Sequence, residues 1–288
     1  MSKPGRLKKK KQKQLEASQA KNADRHILYQ KSVQDTETEI VLMLEKYREI
    51  RGKDPLSFRE DFCGTALLST AWCMGDDRRT AQGVDLCEDT LAWGREHNIK
   101  PAGSDVTSRI ELVNGNVLAA KQPGVDITCA FNFSYSVFKT RDILRQYFEA
   151  VRKGLNKDGI LMLDIFGGTE AIDCVEEDRE VEGEDFEFVW HQEKYNPVTN
   201  EILCHIHFKF DDGSVMENAF TYDWRLWTIA EINELLIEAG FSRVHVYWEE
   251  YEDDGDEDDE YMVGTGNYIE VTEVENQESW VSYIFAEV

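Results

Sequence analysis

Four short segments carry the residue types from which a ligand site could be built, and each lies where a run of β-forming residues ends. In Arg59-Glu60-Asp61-Phe62-Cys63-Gly64-Thr65-Ala66-Leu67-Leu68 a strand-like run gives way to a helical one through small residues. Such a turn lets backbone amides approach a ligand in the crevice outside the carboxyl ends of parallel strands. In Gly83-Val84-Asp85-Leu86 a carboxylate stands 21 residues beyond Gly64. At the end of the next strand it can accept hydrogen bonds from both hydroxyls of a ribose. An acid there is by itself also what solvation of a strand end produces; the preceding turn at this distance favours the ligand reading. Val113-Asn114-Gly115-Asn116-Val117 offers two readings, an ordinary Asn-Gly turn or an amide whose carbonyl oxygen pairs with a purine amino group. Ala130-Phe131-Asn132-Phe133-Ser134-Tyr135-Ser136 sets aromatic rings around an asparagine. Aromatic faces attract cations, although Phe131 and Phe133 would serve equally as core.

Taken together these segments resemble the motifs of class I S-adenosylmethionine-dependent methyltransferases, and Glu60 to Ala66 is similar to the first of them. The resemblance runs from about residue 25 to residue 288 and is nearest to small-molecule methyltransferases with a β insertion after the fifth strand. It implies S-adenosylmethionine as cofactor and a Rossmann-like, seven-stranded, mostly parallel sheet with helices on both faces, plus a small antiparallel insertion. Carried over residue by residue, Glu60, Phe62, Cys63 and Gly64 would form the turn at the methionine end. Asp85 and Leu86 would meet the ribose, Asn116 and the Val117 amide the adenine, and Asn132 and Phe133 the transferred methyl. Tyr29, in a Leu28 to Gln34 segment similar to the helix that covers the cofactor in such enzymes, completes the set. The chain departs from the pattern where Phe62 and Ala66 replace glycine and Asn116 replaces aspartate. Those departures keep a second reading in play, a non-catalytic scaffold that retains the fold.

The elements that must position these residues are legible from periodicity. Strands are expected at 56–61, 80–85, 110–114, 126–131 and 160–165, and helices at 64–74, 88–98 and 140–155, an alternation that argues for a parallel sheet. Thr140 is a candidate N-cap for the last helix, whose Leu144, Tyr147, Phe148 and Val151 share a face. Upstream, Thr36 and Glu39 have capping-box spacing before Ile40, Met43, Leu44 and Tyr47, and Thr228 and Glu231 repeat that spacing before Ile232, Leu235 and Leu236. Final strands are expected at 243–248 and 279–286.

Residues 186–224 break the rhythm. Cys204, Ile206, Phe208 and Phe210 alternate with His205, His207 and Lys209, which predicts an antiparallel lid of two or three strands. Candidate substrate contacts are Tyr135 together with His191, Tyr222, Asp223 and Arg225, and Tyr135, His191 and Asp223 are the candidates for a general base. His205 and His207 share a strand face, as a solvent-facing pair or as two of the ligands of a metal whose third is not identifiable; no metal site is assigned. Trp224 and Trp227 read as packing residues, and the acidic stretch 249–267 as a solvated loop.

Composition bounds the remainder. Hydrophobic residues are 41% and charged residues 31% of the 288, and no apolar run approaches the length of a membrane span. The net charge is -25, while residues 1–25 carry nine Lys/Arg against two acids, so the body beyond them carries -32. Such a body repels phosphate backbones. Nucleic acid is therefore expected only through the basic tail, 1–22, read as disordered, while 23–288 reads as one methyltransferase domain acting on a small-molecule nitrogen or oxygen acceptor. The six cysteines show no CxxC pair and read as reduced thiols of a cytoplasmic protein, with the Lys8 to Lys13 cluster offering a nuclear address. A nicotinamide-dependent oxidoreductase would share the strand, turn and distant acid, but the G-x-G-x-x-G spacing is absent.

Overall fold

A computed structural model describes residues 18–119, 124–253 and 262–288. Its helices are α1 (Gln19–Asn22), α2 (Arg25–Val33), α3 (Thr36–Arg51), α4 (Leu67–Met74), α5 (Glu88–Gly94), α6 (Ser104–Ser108), α7 (Arg141–Gly154) and α8 (Ile229–Glu238). The strands are β1 (Ser57–Asp61), β2 (Thr80–Asp85), β3 (Ile110–Asn114), β4 (Val125–Ala130), β5 (Leu155–Gly167), β6 (Glu176–Glu180), β7 (Phe186–Asn196), β8 (Glu201–Phe210), β9 (Val215–Arg225), β10 (Arg243–Asp253), β11 (Met262–Glu270) and β12 (Trp280–Glu287). By their contacts these elements divide into two compact units, 35–171 with 226–288 and 18–34 with 172–225.

The larger unit is built on a sheet ordered β11-β10-β12-β5-β4-β1-β2-β3, parallel from β5 to β3 and antiparallel beyond β5. Strand order reverses between β1 and β4, which opens a crevice at their carboxyl ends. One sheet face packs Leu144, Tyr147, Phe148 and Val151 of α7 and Ile232, Leu235 and Leu236 of α8 against Leu161, Leu163 and Ile165. The other packs Leu42, Met43 and Tyr47 of α3 and Leu68 and Trp72 of α4 against Phe58, Ile127 and Met162. The period-two alternation along β5 supplies both layers. Thr140 caps α7 and the Thr228–Glu231 capping box opens α8, as their spacing predicts.

The smaller unit is a four-stranded antiparallel sheet, β6-β7-β8-β9. Phe186, Phe188, Ile206 and Phe208 pack with Leu28 of α2 on one face. Its outer strand β6 is Glu-Glu-Asp-Arg-Glu, every residue exposed.

The structure corrects several expectations. Among the described residues the main sheet has eight strands, not seven, because β10 continues to Asp253 and β11 begins at Met262, inside the stretch read as an acidic loop. Glu249 there accepts the Gly266 amide at 2.9 Å, so part of the acidity is structural. The insertion begins ten residues early and has four strands. The first consists wholly of charged residues and gives no hydrophobic alternation. Helix α4 starts at Leu67, not residue 64, because Phe62, Gly64 and Ala66 have φ of 59°, 53° and 53°, which a right-handed helix excludes. The N-cap of α3 is Asp35, which accepts from the Thr38 amide at 3.1 Å and its hydroxyl at 2.7 Å; the Thr36–Glu39 box does not form. Of the expected disordered tail, residues 1–17 lie outside the described residues, and 19–22 form α1. Among the described residues no helix is long and apolar enough to cross a membrane.

Candidate functional site

The crevice is framed by two strained turns. After β1, three of the five residues from Phe62 to Ala66 are left-handed, and only one of them is glycine. A side chain in that region costs about 1–2 kcal/mol, so the backbone of a glycine-rich turn is kept here without its glycines. It is held from several sides. The Gly64 amide donates to Asp85 Oδ2 at 2.9 Å, and the Cys63 amide donates to the Val84 carbonyl at 3.0 Å. Asn98 Nδ2 donates to the Thr65 carbonyl at 2.9 Å, and a Cβ on Gly94 would sit 2.3 Å from that same oxygen. The sequence motifs missed both Asn98 and Gly94, which lie some thirty residues beyond the turn they support.

Asp85 ends β2 half-buried. Its second oxygen accepts the Cys87 amide at 2.8 Å, so the carboxylate stitches two turns while each oxygen retains acceptor capacity for a hydroxyl. Leu86, 70% exposed, projects beside it. Asn114 donates to the Leu86 carbonyl at 2.9 Å and Gly115 to that of Asp85 at 2.9 Å, which ties the end of β3 to the end of β2. Asn116 is exposed and its side-chain oxygen accepts the Leu118 amide at 2.9 Å, which closes a local turn over Val117. Val117 is buried, and its carbonyl accepts from Arg59 Nη2 at 3.3 Å.

Glu60, Phe62 and Cys63 meet their own neighbours. Glu60 is buried and accepts from the amide (3.0 Å) and hydroxyl of Ser69 in α4. Burial pushes its carboxyl up to about 7, against the pull of those bonds. The Cys63 thiol, buried with Ala66, Leu91 and Ile99, is pushed well above its usual range by burial and by Glu60 and Asp85; only its backbone borders the turn. The Phe62 ring lies 5.9 Å from those of Phe138 and Tyr147. Beneath it Arg59 and Asp61, both fully buried, form an ion pair at 2.7 Å, and the Tyr147 hydroxyl donates to Asp61 at 3.0 Å.

On the other flank, Asn132 and Phe133 follow β4, each with φ of 55°. The Phe133 ring lies tilted at 4.7 Å from that of Phe166 and borders a narrow cleft with Ile165, Leu226 and Trp227, whereas Phe131 is core. Tyr135 is 1% exposed and its hydroxyl donates to the Asp164 carbonyl at 2.8 Å. Burial and then Asp164 push its phenol well above the usual range, which favours the neutral form.

The remaining candidates lie in the smaller unit, where strand alternation separates them. Tyr222 shares a face with Trp190 and Trp224, its ring 4.3 Å from Trp224, and it hydrogen bonds to Tyr29, whose ring lies tilted at 4.8 Å from that of Phe220. His191, Asp223 and Arg225 belong to the opposite face. There His191 Nδ1 lies 3.2 Å from His207 Nε2. His205 is buried, not solvent-facing, between Glu193 at 2.7 Å and Thr221 at 3.0 Å. Among the described residues no three His, Cys, Asp or Glu side chains are placed to hold a metal ion.

No protein-family model matches the sequence, and no curated protein matches it. Solved structures do match. A S-adenosylmethionine-dependent methyltransferase from Clostridium acetobutylicum is 15% identical with a TM-score of 0.63, covering 91% of this chain and 97% of its own. An amino pentose methyltransferase of calicheamicin biosynthesis from Micromonospora echinaspora, solved with its cofactor bound, is 14% identical with a TM-score of 0.61 over 91% and 96%. A sugar N-methyltransferase from Streptoalloteichus is 15% identical with a TM-score of 0.59 over 92% and 93%. The chain therefore has the Rossmann-like fold of these S-adenosylmethionine-dependent methyltransferases.

Proposed function

We propose that the chain binds S-adenosylmethionine at the carboxyl ends of β1 to β4 and transfers its methyl group to a nitrogen or oxygen of a small molecule. The observation that carries this reading is the bond from the Gly64 amide to Asp85, which joins a left-handed turn after β1, beside the switch point, to the carboxylate that ends β2. The amino pentose and sugar N-methyltransferases of the same fold support the acceptor class.

When bound, the cofactor supplies a methyl group on a sulfonium whose leaving group is already activated. What the protein adds is alignment in a dry pocket, worth several orders of magnitude in rate. Asp85, with the exposed Leu86 beside it, would meet the ribose, Asn116 and the Val117 amide the adenine, and Asn132 and Phe133 would border the reacting methyl. A cytoplasmic setting accords with six free cysteines, four of them buried.

Calorimetric titration with S-adenosylmethionine and S-adenosylhomocysteine tests the reading. Native protein is expected to bind in the micromolar range, and Asp85→Ala to lose at least about tenfold, the equivalent of one hydrogen bond to a charged group. No binding by folded native protein would leave the scaffold reading, which the side chains at Phe62 and Ala66 favour.

A further inference from the structure

Strand β5 is apolar from Ile160 to Phe166 except at Asp164, which is 7% exposed. Its carboxylate reaches across to the turn after β4, where Oδ2 accepts the Asn132 amide at 2.7 Å and Oδ1 the Phe133 amide at 2.9 Å. These are the two successive left-handed residues, neither of them glycine. A conformation that unfavourable persists only when its surroundings impose it, and the two bonds to one carboxylate are the imposing contacts. The Tyr135 hydroxyl on the Asp164 carbonyl fastens the same turn from its far end.

The geometry points to Asp164 as a positioning residue for methyl transfer, one that sets Asn132 and Phe133 at the crevice and does so with both oxygens only as a carboxylate. This inference rests on the methyltransferase reading of the crevice. Protonation removes the charge and turns one of the two acceptor oxygens into a hydroxyl, a poorer acceptor, so one of the two bonds is weakened. The surroundings bring that event into the neutral range. Facing Asp164 are Glu39 of α3, Cys129 of β4, Tyr135 and, paired with it in register, Tyr283 of β12. None is a cation, and burial raises the carboxyl to about 7 against the pull of the two amides. Glu39, freed from the cap that its spacing suggested, is itself pushed well above the usual range by burial first and by Asp164 next.

The test uses the full chain. Amide resonances of Asn132 and Phe133 are followed by NMR from about pH 5.5 to about pH 9, and S-adenosylhomocysteine affinity is measured at about pH 6 and about pH 8. Both amides are expected to titrate with a midpoint near 7. Affinity is expected to fall by roughly tenfold on going to the lower pH, following the carboxylate fraction. Asp164→Asn should bind weakly at both pH values with no slope, and Glu39→Gln should keep the slope. Amides that do not titrate, or a slope that survives in folded Asp164→Asn, would overturn the assignment. Where the variant fails to fold, the Asn132 and Phe133 amides decide the matter, because Glu60, also raised to about 7, sits at the other turn and does not bond to them. Absence of binding at every pH sinks the methyltransferase reading and the inference with it, whereas titrating amides with pH-independent binding sink the inference alone.

Discussion

Much of the molecule's specificity is concentrated in single side chains that the strands aim into the interior. The Arg59–Asp61 pair is the clearest case, since both groups are wholly withdrawn from water and their partners are the Tyr147 hydroxyl and the Val117 carbonyl. Burial raises the Asp61 carboxyl, and the Arg59 charge and the Tyr147 bond draw it back. Asp61→Ala should destabilise the protein by about 3–5 kcal/mol in urea unfolding, because it strands a buried guanidinium. The double variant Arg59→Met, Asp61→Leu should recover most of that loss, since apolar pairs of similar volume are roughly neutral replacements. A loss in the double variant as large as in the single one would show that packing, not charge, is what the pair supplies. The turn beside this pair was legible but the pair was not, since two residues that share a strand face carry no sign in sequence that they are buried together. Asp164 was not, as one acid in an apolar strand announces nothing about amides 31 and 32 residues earlier.

At the level of elements, the sequence revealed what is encoded locally. The caps of α7 and α8 each involve residues three apart, and the five parallel strands each end at a turn signal, so both could be read directly. Where two adjacent residues could cap, as Asp35 and Thr36, spacing alone chose wrongly. Where acidic composition overlay β-forming residues such as Thr265, Tyr268 and Ile269, the strand β11 was hidden. Packing between elements was equally invisible, and Gly94 shows why. Nothing marks it in α5, yet the helix approaches the β1 turn so closely that a methyl group there would strike the Thr65 carbonyl at 2.3 Å. Gly94→Ala should therefore cost about 1–3 kcal/mol by overpacking, despite alanine's better helix propensity. On the proposed function it should also weaken S-adenosylhomocysteine binding through the displaced turn. A thermal melt and a titration with S-adenosylhomocysteine check both, and a stabilised variant with native affinity would show that the helix can withdraw at no cost.

For the whole molecule the governing quantity is charge, -25 overall. Self-repulsion of that size opposes compaction and is screened by salt. Raising sodium chloride from about 0.05 M to about 0.5 M should increase stability by about 1 kcal/mol, or about 2–4 °C in Tm. A melting temperature that falls instead would mean that ion pairs such as Arg51–Glu287 and Lys31–Glu184 outweigh the repulsion. The same excess bears on the outer strand of the smaller unit. Glu176, Glu177, Asp178 and Glu180 line an unshielded row of backbone donors and acceptors that would otherwise accept a further strand from any passing chain. Four carboxylates in five residues turn that row into a surface that rejects its own kind. Crowded in a cell or concentrated in a tube, such molecules are kept from adding to one another edge by edge, and the protection would lapse wherever acid neutralises them.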